Sequence, residues 1–268
     1  MNKLIEKLQW LGLKHRALGF VAFFALYAIP LSITFYILDF GVAVWCIVFA
    51  LLAFITHALV NSSAAALLVP KSKIFADCCD PEPMIQTCEE ILRYAKRDFD
   101  IVLAKIDLAA GLATLGRFER TLELLKDVKI EAAVGIPANF KTTYYHNLAD
   151  AYFNLGNLEM AKLWNEKSEE MLVAVKNPNI YSSLCDSIKL MSAQILVAEG
   201  EYEKGLELLN SVAPDGNLRR VYLAYTTALA NIGLGMLDRA RADLEFVISL
   251  GNKSFLVAEA QKRLEQIR

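Results

Sequence analysis

The chain has 268 residues, 55% of them hydrophobic, and the apolar residues are concentrated near its beginning. Residues 1–76 carry six cations and two anions, whereas the remainder carries 22 cations and 28 anions. Because a phosphate backbone is bound by a positive field, the acidic remainder argues against a nucleic-acid partner. The five cysteines form no even framework, which favours reduced thiols over a disulfide scaffold.

Residues 1–16 form a basic N-terminal segment that contains Lys3, Lys7, Lys14 and Arg16. Its apolar residues recur at helical spacing. Two interpretations remain open: the segment lies along the membrane interface as an amphipathic helix, or it is a simple basic leader that sets the topology.

Residues 17–60 contain one formally charged side chain, Asp39. Because about 20 apolar residues in a helix cross a bilayer, this run predicts two transmembrane helices, at 17–38 and 42–60, with the membrane exit reaching residue 69. Asp39 and Gly41 suit the turn between them. A signal peptide has a shorter apolar core and is not followed at once by a second one. Pro30 is expected to kink the first helix rather than end it.

The cations on either side of the apolar run predict its orientation. They precede the first crossing and, as Lys71 and Lys73, follow the second, whereas the turn has none. The positive-inside rule therefore predicts a multi-pass protein of the cell membrane with both termini in the cytoplasm. His57, near the end of the second crossing, is either a proton site or an interfacial residue. Residues 70–82, which contain Pro70 and Pro81, are predicted to be a linker.

From residue 83 to residue 268 the pattern changes to amphipathic helices interrupted at regular intervals by glycine. Small residues recur at fixed offsets from these glycines, as expected where two helices approach closely. The sequence therefore predicts an all-α fold in which about four helix-turn-helix units stack, followed by a capping helix. The turn and packing positions are Ala109, Gly116, Ala149, Tyr152, Gly156, Ala161, Ala193, Gly200, Ala228, Gly235 and Ala240. Unequal glycine spacings predict longer links around 131–140 and 174–181.

These units resemble tetratricopeptide repeats, most closely at 147–164 and 225–247. In the first of these segments, Leu148, Ala149, Tyr152, Gly156 and Ala161 stand where that family has Leu, a small residue, Tyr, Gly and Ala. The resemblance covers roughly residues 98–250. It implies a solenoid whose first helices line a concave groove that binds a peptide. Another kind of helical repeat is the alternative.

Signatures of catalysis are missing from the sequence. It contains no phosphate-binding loop and no HExxH pattern, and its three histidines, His15, His57 and His146, are far apart. Cys78 and Cys79 are interpreted as linker thiols, with acylation left open. We therefore expect no enzyme activity, no cofactor and no metal.

The resemblance also implies a set of groove residues, carried over by position. This inward-facing set includes the apolar residues Ile106, Ala110, Leu190, Val197 and Leu229. Its mostly apolar and aromatic character favours a protein or peptide partner. The predicted partner-contacting residues are His146, Asn147, Asp150, Phe153, Gln194, Tyr222 and Tyr225. The alternative is that these side chains simply pack between units. Because no Lys or Arg falls in the implied inward-facing set, a carboxylate clamp is not expected.

Two functions follow from these features. The first is a membrane-anchored scaffold or adaptor whose cytoplasmic solenoid recruits a protein partner, with the tether raising its effective concentration. The second is a structural subunit of a larger membrane complex, such as a secretion, envelope or transport assembly, that uses the hairpin for lateral packing.

Overall fold

A computed structural model describes residues 3–38, 41–130 and 135–267, and over these ranges the regular structure is entirely α-helical. The predicted all-helical fold is thus confirmed. The predicted turn residue Asp39 lies outside the described residues. The helices are α1 (Lys3–Lys14), α2 (Arg16–Leu38), α3 (Val42–Asn61), α4 (Ser63–Cys78), α5 (Glu82–Tyr94), α6 (Asp98–Thr114), α7 (Phe118–Lys126), α8 (Ala138–Asn154), α9 (Leu158–Leu172), α10 (Pro178–Ala198), α11 (Tyr202–Asn210), α12 (Gly216–Gly233), α13 (Leu237–Leu250) and α14 (Leu256–Gln266).

Helices α2 and α3 pack against each other and are both long and apolar enough to cross a membrane. In their most apolar windows only 22% and 11% of the residues are buried, unlike a helix in the core of a soluble protein. Aromatic contacts join the two helices, with the Phe35 and Trp45 rings 5.3 Å apart. Pro30 lies inside α2, which continues past it as predicted. So large an exposed apolar surface is unfavourable in water and favourable in lipid.

The segment predicted as a linker, residues 70–82, is instead mostly helix. Helix α4 continues through Pro70 to Cys78, and α5 begins at Glu82. Proline costs a helix one hydrogen bond, and here the helix is held by packing of Leu67 and Leu68 against α1 and α5. Helix α1 is part of the same core, because Leu13 is buried there and Trp10 packs against it. Neither interpretation of residues 1–16 included this contact with the helices that follow the apolar run.

Four consecutive helix pairs, α6–α7, α8–α9, α10–α11 and α12–α13, follow one another along the chain, with each pair in contact. The glycines at their turns, Gly116, Gly156, Gly200 and Gly235, all have φ between 73° and 84°. At Gly156 the backbone N–H donates to the Phe153 carbonyl oxygen, and the next N–H donates to that of Tyr152, both at 2.9 Å. The same two bonds recur at the other three glycines. This left-handed turn ends the first helix of each pair at little steric cost because glycine has no Cβ.

Close packing within each pair depends on the small residues. Six alanines at the positions singled out in the sequence are fully buried: Ala109, Ala149, Ala161, Ala193, Ala228 and Ala240. At Gly205 an added Cβ would lie 2.6 Å from the Val197 side chain, so α10 and α11 approach too closely for a larger residue. Tyr152 is half-buried and packs between two core clusters.

The unequal glycine spacings have two different structural causes. Between α7 and α8 the chain does have a long link, from Asp127 to Pro137, of which residues 131–134 are not described. Between α9 and α10 the expected long link is absent, because α10 already begins at Pro178. The additional residues lengthen the helices instead, to 15 residues in α9 and 21 in α10.

The segment that follows the last helix pair contacts the first helix pair. The Phe255 N–H donates to the Thr114 carbonyl oxygen at 2.9 Å, and the Phe255 ring meets the Phe118 ring edge-on at 5.0 Å. The Lys253 ammonium lies 3.0 Å from Asp80, in the connection between α4 and α5, and 2.6 Å from Glu82, the first residue of α5. The first and last helix pairs are thus joined, and the series of pairs closes on itself.

Candidate binding cavity

The first helices of all four pairs, α6, α8, α10 and α12, line one central cavity of about 290 Å³. The C-terminal half of α4 forms a further wall, through Phe75 and Ala76. Helix α4 reaches this position because it contacts both α6 and α12, on either side of the closure. Phe75 and Ala76 thus occupy part of the space between the four helices, and a partly open cavity remains.

The structure brings most of the sequence-predicted contact residues together. Five of the seven line the central cavity: His146, Asn147, Asp150, Gln194 and Tyr222. The other two, Phe153 and Tyr225, line a neighbouring cavity of about 330 Å³, to which Gln194 also contributes. Their contact with a partner stays a prediction.

Some of these side chains already have structural roles. The Asn147 amide donates to the Ile106 carbonyl oxygen at 2.9 Å and so ties α8 to α6. Tyr225 is buried in the apolar cluster formed by α12, α13 and α14. The Tyr222 ring stands 6.5 Å from that of Phe255, and burial raises the pKa of its hydroxyl well above the usual value. Asn147 and Tyr225 thus match the packing alternative left open by the sequence.

His146 and Asp150 lie one turn apart on α8, and burial disfavours the charged form of both side chains. Burial, and secondarily the charge of Arg219, lowers the pKa of His146 to about 4. Burial raises the pKa of Asp150 to about 7, although a hydrogen bond from Asn154 opposes the shift. The His146 Nδ1 atom is buried and makes no hydrogen bond among the residues described.

Arg219, on α12, is a charged cavity residue that the sequence prediction did not include. Its Nη2 donates to the Ser183 carbonyl oxygen at 2.9 Å and to the hydroxyls of Ser183 and Ser187 at 3.0 and 3.2 Å. Its Nη1 is buried, lies 3.8 Å from an Asp186 oxygen, and has no hydrogen-bond acceptor within the described ranges. The signal was available, because Arg219 precedes Tyr222 by one helical turn and so shares its face. The reason for expecting no carboxylate clamp, the lack of an inward cation, therefore does not hold.

The arrangement can bind a polar group. The free guanidinium N–H groups of Arg219 suit an oxygen acceptor, and His146 adds a second polar contact beside it. Within the described parts of the chain, no group of three or more His, Cys, Asp or Glu side chains is placed to hold a metal ion. No protein-family model, no curated protein and no solved structure matches this chain.

Proposed function

We propose that this protein is a membrane-anchored interaction module in which helices α2 and α3 cross the cell membrane and both termini are cytoplasmic. The four helix pairs are, in this proposal, tetratricopeptide-like repeats that form a closed solenoid. The apolar surface of the hairpin supports the anchor. The four glycine turns and the buried alanines beside them support the repeat assignment.

The observation that carries the binding role is that two side chains lining one cavity, Arg219 and His146, each have a buried polar atom without a hydrogen-bond partner among the described residues, Nη1 and Nδ1 respectively. A buried polar atom without a partner costs roughly 1–3 kcal/mol, so an acceptor supplied by a ligand would be bound favourably. The partner is a protein segment that inserts an oxygen-bearing side chain or a chain end. At about 290 Å³ the cavity is at the small end of ligand pockets, which favours a few inserted side chains over a threaded peptide.

Anchoring to the membrane would compensate for the limited affinity of this small cavity. A cavity that holds only a few side chains supplies limited affinity. Confinement of both partners to one membrane surface raises their effective concentration. The protein would then act as a scaffold or adaptor rather than as an enzyme.

Site-directed photocrosslinking of the full-length protein in its native membrane tests this proposal. A crosslinking amino acid at Thr143, which lines the cavity, should trap a protein partner, whereas one at the exposed Leu163 of α9 should not. Two adjacent arginines supply a matched control. The Arg219→Gln variant should lose the crosslink, and Arg220→Gln, at an exposed position outside the cavity, should keep it. Equal crosslinking in both variants would contradict the cavity as the binding site.

A further inference from the structure

A second cavity, of about 350 Å³, lies where the membrane hairpin meets the soluble domain. It is bounded by the junction between α1 and α2, by the last turn of α3 and by the connection between α5 and α6. The lining residues are Gly12 to Leu18, Val60, Lys96, Arg97 and Asp100. None of these belongs to the central cavity.

The lining is strongly basic. Four permanent cations, Lys14, Arg16, Lys96 and Arg97, face a single carboxylate, Asp100. Asp100 is buried beneath Arg97, with its Oδ1 3.9 Å from the guanidinium. Positive charge therefore exceeds negative charge among the groups around this space.

Arg97 also fixes the end of the hairpin against the following helices, whereas Arg16 joins the two hairpin helices to each other. The Arg97 guanidinium donates to the Asn61 carbonyl oxygen at 2.6 Å, where α3 ends, and Arg16 donates to the Asn61 side chain. The Lys14 ammonium lies 3.3 Å from Glu90 and 4.1 Å from the centre of the Tyr94 ring. Lys96 is exposed, and its ammonium has no such partner in the described residues. Three of the four cations are therefore held by bonds within the protein, and Lys96 remains unpaired, among the described residues, at the edge of the pocket.

The remaining walls of the pocket are apolar and continue into the membrane span. Leu13, Ala17, Leu18 and Val60 supply these walls, and Leu18 is largely exposed on the outer side of α2. The next outward-facing apolar residue on α2, Val21, lies about one turn further into the span. An acyl chain can follow this surface while its polar end stays among the cations.

We propose that this pocket binds the phosphate headgroup of one anionic glycerophospholipid from the leaflet that faces the soluble domain. Basic pockets beside transmembrane helices on the cytoplasmic side are suited to such headgroups, because guanidinium and ammonium groups donate charge-assisted hydrogen bonds to phosphate. The inference rests on the membrane placement in the proposed function, but it is independent of the central cavity. The proposed lipid differs from free phosphate in having acyl chains, which would lie along α2.

Native mass spectrometry of the full-length protein in mild detergent measures this binding, with phosphatidylglycerol and phosphatidylcholine of identical acyl chains as the probes. Phosphatidylglycerol should bind more tightly. The Arg16→Gln/Lys96→Gln variant should weaken its binding by roughly 30-fold, taking about 1 kcal/mol for each cation. A matched control, Lys3→Gln/Lys7→Gln, removes two exposed cations from α1 outside the pocket and should change binding less than about twofold.

Additional measurements distinguish between the ways in which this proposal could be wrong. Lys96→Gln alone, at a position with no structural bond, should weaken binding by roughly fivefold without loss of helix content. Equal binding of the two lipids, or equal losses in the pocket and control variants, would overturn the headgroup site. Displacement of the lipid by millimolar glycerol 3-phosphate would overturn the lipid assignment in favour of a soluble phosphate. Release of the protein from membranes by alkaline carbonate would instead refute the membrane anchor itself.

Discussion

Replacing Asp150 by Asn tests whether this cavity side chain is as deeply desolvated as the structure indicates. Burial raises its pKa from 3.8 to about 7 in the folded protein, so the folded chain holds the proton more tightly than the unfolded chain does. The stability that this group contributes is therefore present at low pH and lost as the pH rises to about 7. Asparagine keeps the shape and the acceptor for Asn154 but cannot ionise.

The size of the effect follows from the linkage between protonation and folding. Each pH unit over which the folded chain holds one more proton than the unfolded chain changes the free energy of unfolding by about 1.4 kcal/mol. Between about pH 5 and pH 7 the advantage of the Asn variant over the native chain should grow by about 2–3 kcal/mol, and then stay constant. Asp107, a buried group on α6, titrates in both proteins, so its contribution cancels in the difference.

The measurement is chemical unfolding of both full-length proteins in the same detergent, followed by far-ultraviolet circular dichroism across this pH range. Asp238→Asn, at a fully exposed side chain on α13, is the matched control and should show no growth of the difference with pH. A difference for Asp150→Asn that stays flat from about pH 5 to pH 8 would refute the desolvated cavity.

Four other predictions concern the turns and the closure. Gly156→Ala should cost about 1–2 kcal/mol through its left-handed backbone alone, because an added Cβ there meets nothing within 4 Å. Gly116→Ala should cost about 1 kcal/mol more in the same unfolding assay, because its Cβ would lie 3.1 Å from that of Phe255, and equal costs would contradict this contact. Phe255→Ala should destabilise by about 2–3 kcal/mol and increase proteolysis near residue 253, whereas an unchanged protein would show that the closure contributes nothing. Lys253→Ala should have a small effect on the melting temperature that disappears in high salt, and an effect that persists in salt would contradict its solvent-exposed ion pairs.

Local features of this fold were readable from the sequence because each depends on a few neighbouring residues. The apolar run identifies α2 and α3, and a glycine that needs a positive φ marks each helix-pair turn. Helix α4 was missed because Pro70 argues for a break in an isolated peptide. In the folded chain, packing against α1, α5 and α12 supports the helix instead.

The cavity was only partly predictable for a related reason. The position of His146 and Asp150 along α8 determines that they face the cavity, and this could be predicted from the helical spacing. The contribution of Phe75 and the closure through Phe255 join segments far apart in the chain, and no local pattern reports them. Arg219 was readable in principle, since it shares a helix face with Tyr222, but the implied inward-facing set began one turn too late to include it.

Thiol labelling with a membrane-impermeant maleimide tests the central claim, a membrane anchor that holds the cavity in the cytoplasm. Cys78, at the end of α4, and Cys46, within α3, are exposed in the structure, whereas Cys79 and Cys88 are buried. With Cys185 replaced by Ser, we expect no labelling in intact cells and labelling of Cys78 once the membrane is opened. Cys46 should react only after detergent removes the lipid. Labelling of Cys78 in intact cells, or of Cys46 without detergent, would contradict the account.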